Sequence, residues 1–427
     1  MAGQRQTTRR GFLKGAAAAL GAPYVLSQAI VGAAPAPSDR ITMGIIGYGK
    51  QCRGHLSGML GRPDVRMLAI CDCDSVRRKM AVKRVDDRYG SAKGKATAGC
   101  ADYNDFRQLI DRPDIDAVLI ATPDHWHAIP VIRAAEAGKD IYCEKPLSLT
   151  LREAKLMADA VRRYGRVFQT GSQQRSSREF RFACEMVRSG RIGKVHTVHV
   201  NVGGPSTDCY LPAEPVPKGI DWDLWIGPAP WRPYHKIICP AIPYNNFPSW
   251  RRFRDYSGGG MTDWGAHHFD IAQWGLGMDE SGPVEITPPD GKNVKRLTYK
   301  YANGVVMYHG GGRSGVDFIG TEGRVMVNRG RLATEPASLM ATPTGAGEVH
   351  LYKSPGHHAD WLNCIRQRRR PICDIEIGAR SVSVCHLGNI AYMLKRPLRW
   401  DPEKEVFLGD AEANRWLDRP RRGPWQV

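Results

Sequence analysis

Short β-prone runs alternate with helix-length stretches over the first 170 residues of this 427-residue chain, and this alternation limits its possible folds more than any other feature. The pattern predicts strands at 41–46, 65–71, 116–121, 140–143 and 166–170. It predicts helices at 51–60, 75–90, 103–110, 127–137 and 151–163. Strand–helix alternation of this kind builds a doubly wound parallel sheet with crossover helices. The sequence therefore predicts an α/β domain over residues 39–170.

The pattern changes near residue 193. Residues 195–201 alternate apolar and polar side chains with period two, as in an antiparallel strand. Residues 203–250 are rich in Pro, Gly and Trp, which is typical of long loops. The later part predicts a helix at 261–274, several strands within 295–327, and helices at 357–369 and 376–395. Residues 171–427 are therefore predicted to form an α+β domain with a mainly antiparallel sheet.

The first 36 residues have the pattern of an export signal. Arg9 and Arg10 precede Phe-Leu-Lys, a charge-free run follows from 15 to 34, and Ala34-Pro35-Ala36 is a candidate cleavage site. The paired arginines resemble a twin-arginine signal, which predicts a periplasmic or exported protein. A retained membrane anchor is the alternative, but the run is mostly Ala and Gly and contains Pro23, so it is weakly apolar. We expect no stable membrane insertion.

The chain is basic, with 61 Lys and Arg against 43 Asp and Glu and a net charge of +18. Removal of residues 1–36 takes four bases and no acid, which leaves +14. This charge permits anionic ligands, but no basic–aromatic motif accompanies it, so we expect no nucleic-acid partner. The 11 cysteines include no Cys-x-x-Cys pair. We expect most of them to be small buried side chains.

A glycine turn follows the first predicted strand, at Gly47-Tyr48-Gly49. Glycines at such a turn let the backbone approach a pyrophosphate at a helix N-terminus, and Asp72 after the second strand is placed to bind ribose hydroxyls. Cys52 stands where the usual fingerprint has its third glycine. The acid favours NAD over NADP, although NADP stays open because of the nearby Arg77 and Arg78. An ordinary βα turn is the structural alternative.

Two further motifs follow the third and fourth strands, where ligands bind in parallel sheets. Thr122, Pro123 and His127 belong to the first, and Glu144-Lys145-Pro146 is the second. The ammonium of Lys145 is suited to donate to a reacting hydroxyl group. After the fifth strand, Gly171-Ser172-Gln173-Gln174-Arg175 is placed to contact cofactor or sugar, and Gln174 is the candidate. A linker between domains is the alternative for that segment.

The helix predicted at 261–274 carries Asp263 and His267 four residues apart, hence on one helical face. A carboxylate that orients an imidazole is an acid–base unit for neutral pH. We interpret His268 as a packed residue. A metal site of Asp263, His267, His268 and Asp270 is the alternative, but the spacing matches no zinc pattern, so we expect no metal.

Together these motifs resemble the Gfo/Idh/MocA oxidoreductases, which include glucose–fructose oxidoreductase and inositol dehydrogenase, and in particular an exported branch with a twin-arginine signal. The resemblance extends from about residue 40 to the C-terminus. It implies an N-terminal Rossmann domain, a C-terminal domain for substrate binding and oligomerisation, and a homo-oligomer. It also implies that Lys145, Asp263 and His267 are catalytic, and that Glu144 and His127 belong to the cofactor site.

The resemblance implies an NAD-dependent oxidoreductase that acts on a hydroxyl of a sugar or sugar derivative outside the cytoplasm. Because no free NAD pool is expected there, the cofactor should be tightly bound. One alternative is an NAD-dependent glycosidase or lyase that works by transient oxidation, elimination and re-reduction. Another is a non-catalytic glycan-binding protein. The sequence leaves open whether Lys145 or His267 is the base.

Overall fold

The computed structural model describes residues 39–90, 99–242, 244, 246–313 and 315–427. The predicted export signal, residues 1–36, lies outside the described residues and stays a prediction. None of the helices in the described ranges is both long and apolar enough to span a bilayer.

The first half folds around a six-stranded parallel sheet in the order β3-β2-β1-β4-β5-β6. Its strands are β1 (Ile41–Ile46), β2 (Val65–Cys71), β3 (Ala101–Tyr103), β4 (Ala117–Ile120), β5 (Asp140–Cys143) and β6 (Phe168–Thr170). Its helices are α1 (Lys50–Leu60), α2 (Ser75–Gly90), α3 (Phe106–Ile110), α4 (Ala128–Glu136) and α5 (Leu151–Arg163). The order reverses between β1 and β4, and such a switch point opens a crevice at the carboxyl ends of the strands. The predicted doubly wound sheet is confirmed.

The central strands β4 and β5 are buried along their whole length, as expected when helices cover both faces of a parallel sheet. One prediction in this region was wrong, because the helix expected at 103–110 is shorter. Residues up to Tyr103 extend the sheet as β3, and α3 starts only at Phe106. Asp105 sets that start, since its carboxylate accepts a hydrogen bond from the N–H of Arg107 and caps the helix.

The second half contains a nine-stranded sheet in the order β13-β12-β11-β7-β10-β9-β8-β14-β15. The strands are β7 (Val195–Val200), β8 (Glu285–Thr287), β9 (Thr298–Lys300), β10 (Val306–His309), β11 (Val316–Gly320), β12 (Arg324–Asn328), β13 (Arg331–Glu335), β14 (Leu398–Asp401) and β15 (Val406–Phe407). Within this sheet, as far as the structure describes it, β7 and β10 are the only neighbouring strands that run parallel. The prediction of a mainly antiparallel sheet is confirmed.

The helices of the second half pack on one another and on this sheet. They are α6 (Arg178–Arg188), α7 (Trp222–Ile226), α8 (Gly260–Asp263), α9 (Gly265–Leu276), α10 (Ser338–Ala341), α11 (His357–Gln367), α12 (Ile375–Leu394) and α13 (Ala411–Arg415). The sequence analysis did not predict α6. The single helix expected at 261–274 is divided into α8 and α9 at Trp264.

Two of these helices return to the first sheet. Trp361 of α11 is fully buried in the same apolar cluster as β1 and β2, and Ile375 of α12 is fully buried beside β5 and α5. The long segment before α8 has its own small core, in which Trp222, Trp225 and Trp250 are buried. These contacts fix the second half against the carboxyl edge of the first sheet.

Candidate active site

A cleft of about 290 Å³ opens at the carboxyl ends of β1, β2, β4 and β5. The first half contributes the residues that follow these strands. The second half contributes Trp250, Arg251, Asp263, His267 and Arg329. Pockets for small ligands are roughly 300–1,000 Å³, so the cleft lies at the lower end of that range.

Gly47 makes the turn after β1 in a conformation that a side chain would not tolerate. Its φ is +87°, and a Cβ there would lie 2.9 Å from the carbonyl oxygen of Ala121. Gly49 then caps α1 without any side-chain hydrogen bond, and the first turn of this helix contains no acidic residue. A Cβ at Gly49 would meet nothing closer than the Tyr244 hydroxyl at 3.9 Å. The start of α1 therefore has no side-chain cap and open space beside Gly49, which suits a pyrophosphate.

The acid predicted for the ribose lies in the cleft beside this turn. Asp72 accepts hydrogen bonds from the N–H of Tyr48 at 2.6 Å and the N–H of Asp74 at 2.8 Å, while burial raises its pKa. Tyr48 contributes this N–H; its side chain is buried in the core of the first half. Cys52 is also fully buried in that core, so its departure from the glycine pattern does not obstruct the cleft.

The two arginines that left NADP open are both held by protein groups. Arg77 donates to Asp74 at 2.9 Å and to the Tyr244 hydroxyl at 2.6 Å. Arg78 donates to Asp102 at 2.8 Å. A 2′-phosphate at this point would face the Asp72 carboxylate without a free guanidinium, which favours NAD.

In the turn after β4, some residues line the cleft and others are buried behind it. Thr122 and Pro123 line the cleft, and the hydroxyl of Thr122 is buried without a partner in the described part of the chain. His127 lies behind them. Its Nδ1 is 2.8 Å from the Pro146 carbonyl oxygen, and its Nε2 is 3.0 Å from that of Thr122. His127 therefore joins the turns after β4 and β5 and does not line the cleft.

Glu144 lies in the wall of the cleft and contacts His55, which in turn contacts His358. His55 Nε2 is 2.8 Å from Glu144 Oε1, and His55 Nδ1 is 2.8 Å from His358 Nε2. Burial alone would raise the pKa of Glu144, but the hydrogen bond and charge of His55 outweigh it and lower the pKa to about 2. Glu144 is therefore an anion at neutral pH.

Lys145 and Asp263 meet across the cleft. The Lys145 Nζ donates to Asp263 Oδ1 at 2.6 Å and to the Asp263 carbonyl oxygen at 2.9 Å. Burial would raise the pKa of Asp263, but the charges of Lys145 and Arg251 lower it. The carboxylate predicted to orient His267 thus contacts Lys145 instead.

The interruption at Trp264 explains this pairing. In a continuous helix the Asp263 carbonyl would accept from the N–H of His267. Here that N–H bonds to the Trp264 carbonyl at 3.0 Å, which leaves the Asp263 carbonyl to Lys145. Asp263 and His267 thus belong to two successive helices, α8 and α9, and both line the cleft.

His267 borders the cleft as a neutral imidazole. Burial and the neighbouring charges of Lys145 and Arg329 hold its pKa well below the usual 6.5. Its Nδ1 is buried without a partner in the described ranges. His268 stacks on Trp264 and is buried, as expected for a packed residue.

Gln174 does not line the cleft; its neighbour Gln173 does. Gln174 is buried behind it in a short 3₁₀ helix over 173–176. With its amide oriented to satisfy both neighbours, it donates to the His267 carbonyl at 2.8 Å and accepts from Arg329 Nε at 3.2 Å. It therefore holds two cleft residues in place.

Beneath α9, Arg175 is fully buried between two acids. It donates to Asp270 at 2.9 Å and to Asp279 at 2.7 Å. Asp270 and Asp263 are thus engaged with different cations. No group of three or more metal-ligating side chains occurs in the described parts of the chain.

Among the charged residues of the cleft that sequence reasoning missed are Asp124, Arg251 and Arg329. Asp124 is buried and accepts from the Ser257 hydroxyl at 2.6 Å, and burial raises its pKa to about 7. Arg251 stacks on Trp250, and Arg329 stacks on Trp264 at 4.7 Å. Asp124 lies between Thr122 and His127, so its position in that motif could have marked it as a candidate site residue. The two arginines come from a loop and a hairpin, where local pattern gives no such signal.

Both halves of the chain match known sequence families. Residues 41–172 match the family GFO_IDH_MocA, described as "Oxidoreductase family, NAD-binding Rossmann fold". Residues 203–427 match GFO_IDH_MocA_C2, described as "Oxidoreductase family, C-terminal alpha/beta domain".

Curated relatives match over part of their length. Myo-inositol 2-dehydrogenase of Thermotoga maritima is 30% identical over 164 residues, which are 38% of this chain and 46% of that protein. A glycosyl hydrolase family 109 protein of a Shewanella species is 29% identical over 168 residues, 39% of this chain and 36% of that protein. The chain thus matches less than half the length of either relative.

Solved structures share the fold. GenD2 from gentamicin A biosynthesis, in complex with NAD, has a TM-score of 0.58 and 16% identity, over 87% of this chain and 99% of that one.

Proposed function

The chain belongs to the Gfo/Idh/MocA oxidoreductase family, and on that premise we propose that it is an NAD-dependent oxidoreductase acting on a hydroxyl of a sugar or sugar derivative. The observation that carries the proposal is the meeting of Lys145, Asp263 and His267 in one cleft, beside an uncapped helix N-terminus. The names of curated relatives, which include a myo-inositol 2-dehydrogenase, support a polyhydroxylated substrate.

When bound, NAD accepts the hydrogen and electron pair of the carbinol carbon, and the alcohol becomes a carbonyl compound. His267 takes the hydroxyl proton, because its imidazole is neutral at physiological pH. The Lys145 ammonium stabilises the negative charge that develops on the oxygen. Asp263 keeps that ammonium in position through its carboxylate and its backbone carbonyl.

The walls around this centre orient the substrate and limit access of water. Arg251 and Trp250 cover one side, and Trp264 and Arg329 cover another. Because these residues come from the second half of the chain, we propose that this half selects the substrate, while the first half binds the cofactor.

We further propose that residues 1–36 are a twin-arginine export signal and that the protein works outside the cytoplasm with a tightly held cofactor. The support is the order of paired arginines, apolar run and small residues. Replacement of both Arg9 and Arg10 by Lys should leave the full-length protein in the cytoplasm. Equal export of this variant would contradict the signal.

The test of cofactor identity uses the purified mature protein. Denaturation should release NAD or NADH in a ratio near one per chain, measured by chromatography and absorbance. Release of NADP, or the absence of both nucleotide release and measurable NAD binding, would overturn the proposal. Sedimentation of the native purified protein tests whether it is a homo-oligomer, as resemblance to the family favours.

An NAD-dependent glycosidase is the second candidate, favoured by the relative named as a glycosyl hydrolase family 109 protein. In that reaction, oxidation of a ring hydroxyl to a ketone acidifies the adjacent C–H, and elimination breaks the glycosidic bond. Water then adds to the resulting double bond, and return of the hydride to the ketone regenerates the hydroxyl and the oxidised cofactor. Release of reducing sugar from a glycoside without net NADH selects it. Net NADH with a free sugar selects the dehydrogenase. A glycan-binding role without catalysis predicts that Lys145→Met binds sugar and NAD as the wild type does and that neither reacts.

A further inference from the structure

Arg329 differs from the other cations at one end of the cleft in its contacts with carboxylates. At the end lined by Lys145 and His267, Asp263 is bonded to Lys145 and lies 3.7 Å from Arg251. Arg329 lines the same end, and in the described ranges no carboxylate lies within ion-pair distance of its guanidinium. The other cleft acids have their own contacts, since Glu144 bonds to His55 and Asp124 bonds to Ser257.

Arg329 is held in a fixed direction. It lies in the turn between β12 and β13, its guanidinium stacks on the Trp264 ring at 4.7 Å, and its Nε donates to the Gln174 amide oxygen at 3.2 Å. One edge of the guanidinium is thus engaged with the protein, which leaves its terminal nitrogens for a ligand. The side chain of Arg329 is exposed to solvent in the cleft, so an anion that reaches it can form charge-assisted hydrogen bonds with these nitrogens.

We propose that Arg329 is a specificity residue that binds the carboxylate of an acidic sugar substrate. A planar guanidinium presents paired donors that match a carboxylate, and the ring of Trp264 limits it to one plane. The inference rests on the proposed function, because it places the carboxylate on the molecule whose hydroxyl faces Lys145 and His267. The excess of basic residues in the whole chain is consistent with an anionic substrate.

The test compares sugars that differ only in this group. NAD-loaded protein is titrated calorimetrically with D-glucuronate and D-glucose, D-galacturonate and D-galactose, and D-mannuronate and D-mannose. A charge-assisted pair of hydrogen bonds predicts a preference of roughly 10- to 100-fold for at least one acid over its neutral partner. The same preference should appear in kcat/KM.

Three variants identify the residue responsible. Arg329→Gln should abolish the preference for the acid over its neutral partner. Arg329→Lys should restore part of it. Arg331→Gln removes an exposed charge on the same hairpin, and its preference should match that of the wild type. NAD affinity, measured by fluorescence, should be unchanged in all three.

Several results would overturn the inference: a preference for neutral sugars, no binding of any acid in the panel, or an unchanged preference in Arg329→Gln. Loss of NAD affinity in Arg329→Gln would assign the residue to the cofactor instead. If the protein binds galactose 6-sulfate and none of the uronates, the ligand of Arg329 is a sulfate group and the carboxylate proposal is wrong. The proposed function fails separately, if the wild type binds no NAD or oxidises no sugar.

Discussion

The Nζ of Lys145 lies 2.6 Å from Asp263 Oδ1, and the same nitrogen is bonded to the Asp263 backbone carbonyl. This pair joins the turn after β5 to the end of α8. It defines the position of the ammonium relative to the cleft, and it makes the chemistry depend on contacts between the two sheets.

Replacement of Lys145 by Met should lower kcat by about 100- to 10,000-fold, because it removes the group that stabilises the developing alkoxide. NAD affinity should change little, as measured by fluorescence titration. Lys155→Met is the matched control, since Lys155 is largely exposed and contacts only Glu405. Retention of wild-type kcat in Lys145→Met would contradict the role given to this ammonium.

The pH profile of kcat/KM should stay level below pH 6.5. Because burial and nearby cations hold the pKa of His267 well below its ordinary value, the imidazole is still an unprotonated base there. A limb centred at or above pH 6.5 that disappears in His267→Gln would show that this description is wrong. His350→Gln, an exposed histidine, should leave the profile unchanged.

Asp124→Asn should stabilise the protein increasingly as pH rises. Burial raises the pKa of Asp124 from 3.8 to about 7, so the stability of the wild-type carboxyl is present below pH 3.8 and is lost as pH rises through 7. The amide of Asn has no ionised form whose burial costs free energy, and its oxygen can still accept a hydrogen bond from the Ser257 hydroxyl. The difference in Tm should grow from near zero at pH 3.8 to roughly 2 °C or more at pH 8. A constant difference would contradict the raised pKa.

Gly47→Ala should abolish NAD binding. The backbone of Gly47 has a positive φ, and the added methyl group would lie 2.9 Å from the Ala121 carbonyl, a strain of roughly 1–3 kcal/mol. Gly54→Ala is the control. It adds the same methyl group to α1 with no atom within 4 Å, and it should bind NAD normally with equal or higher stability. Calorimetric titration and thermal unfolding measure both effects.

Arg175→Met should lower the free energy of unfolding by roughly 3–5 kcal/mol, because it leaves Asp270 buried without its cation. Arg178→Met removes an exposed charge three residues away and should change it by less than about 0.5 kcal/mol. Urea unfolding followed by circular dichroism measures both. Equal effects of the two substitutions would show that the buried pair is not a major source of stability.

The first sheet was predictable because its signals are local. Each buried strand is a short apolar run in the sequence. The turn after β1 needs a glycine at position 47, because its backbone has a positive φ. The elements that were missed or misdrawn depend on distant contacts. The helix at 261–274 looks continuous in sequence, but it is interrupted at Trp264 where the Asp263 carbonyl accepts from Lys145, 118 residues away.

The candidate site divides in the same way. Asp72, Thr122 and Lys145 each follow a strand of the parallel sheet, so their place in the cleft follows from topology. Arg251 and Arg329 reach the cleft only through the packing of the second sheet, and no local pattern marks them. Gln174 was one position from the residue that lines the cleft, because the 3₁₀ helix over 173–176 sets which side chain faces it.

The ion pair between Lys145, which follows β5, and Asp263, at the end of α8, has a consequence for protein engineering. The two halves of the chain each contribute one member of this ion pair, because the ammonium follows β5 and its carboxylate ends α8. A chimaera that joins the nucleotide-binding half of this chain to the second half of a relative must therefore preserve the spacing between these two groups. Otherwise it would inherit a folded cofactor site and lose its reactivity.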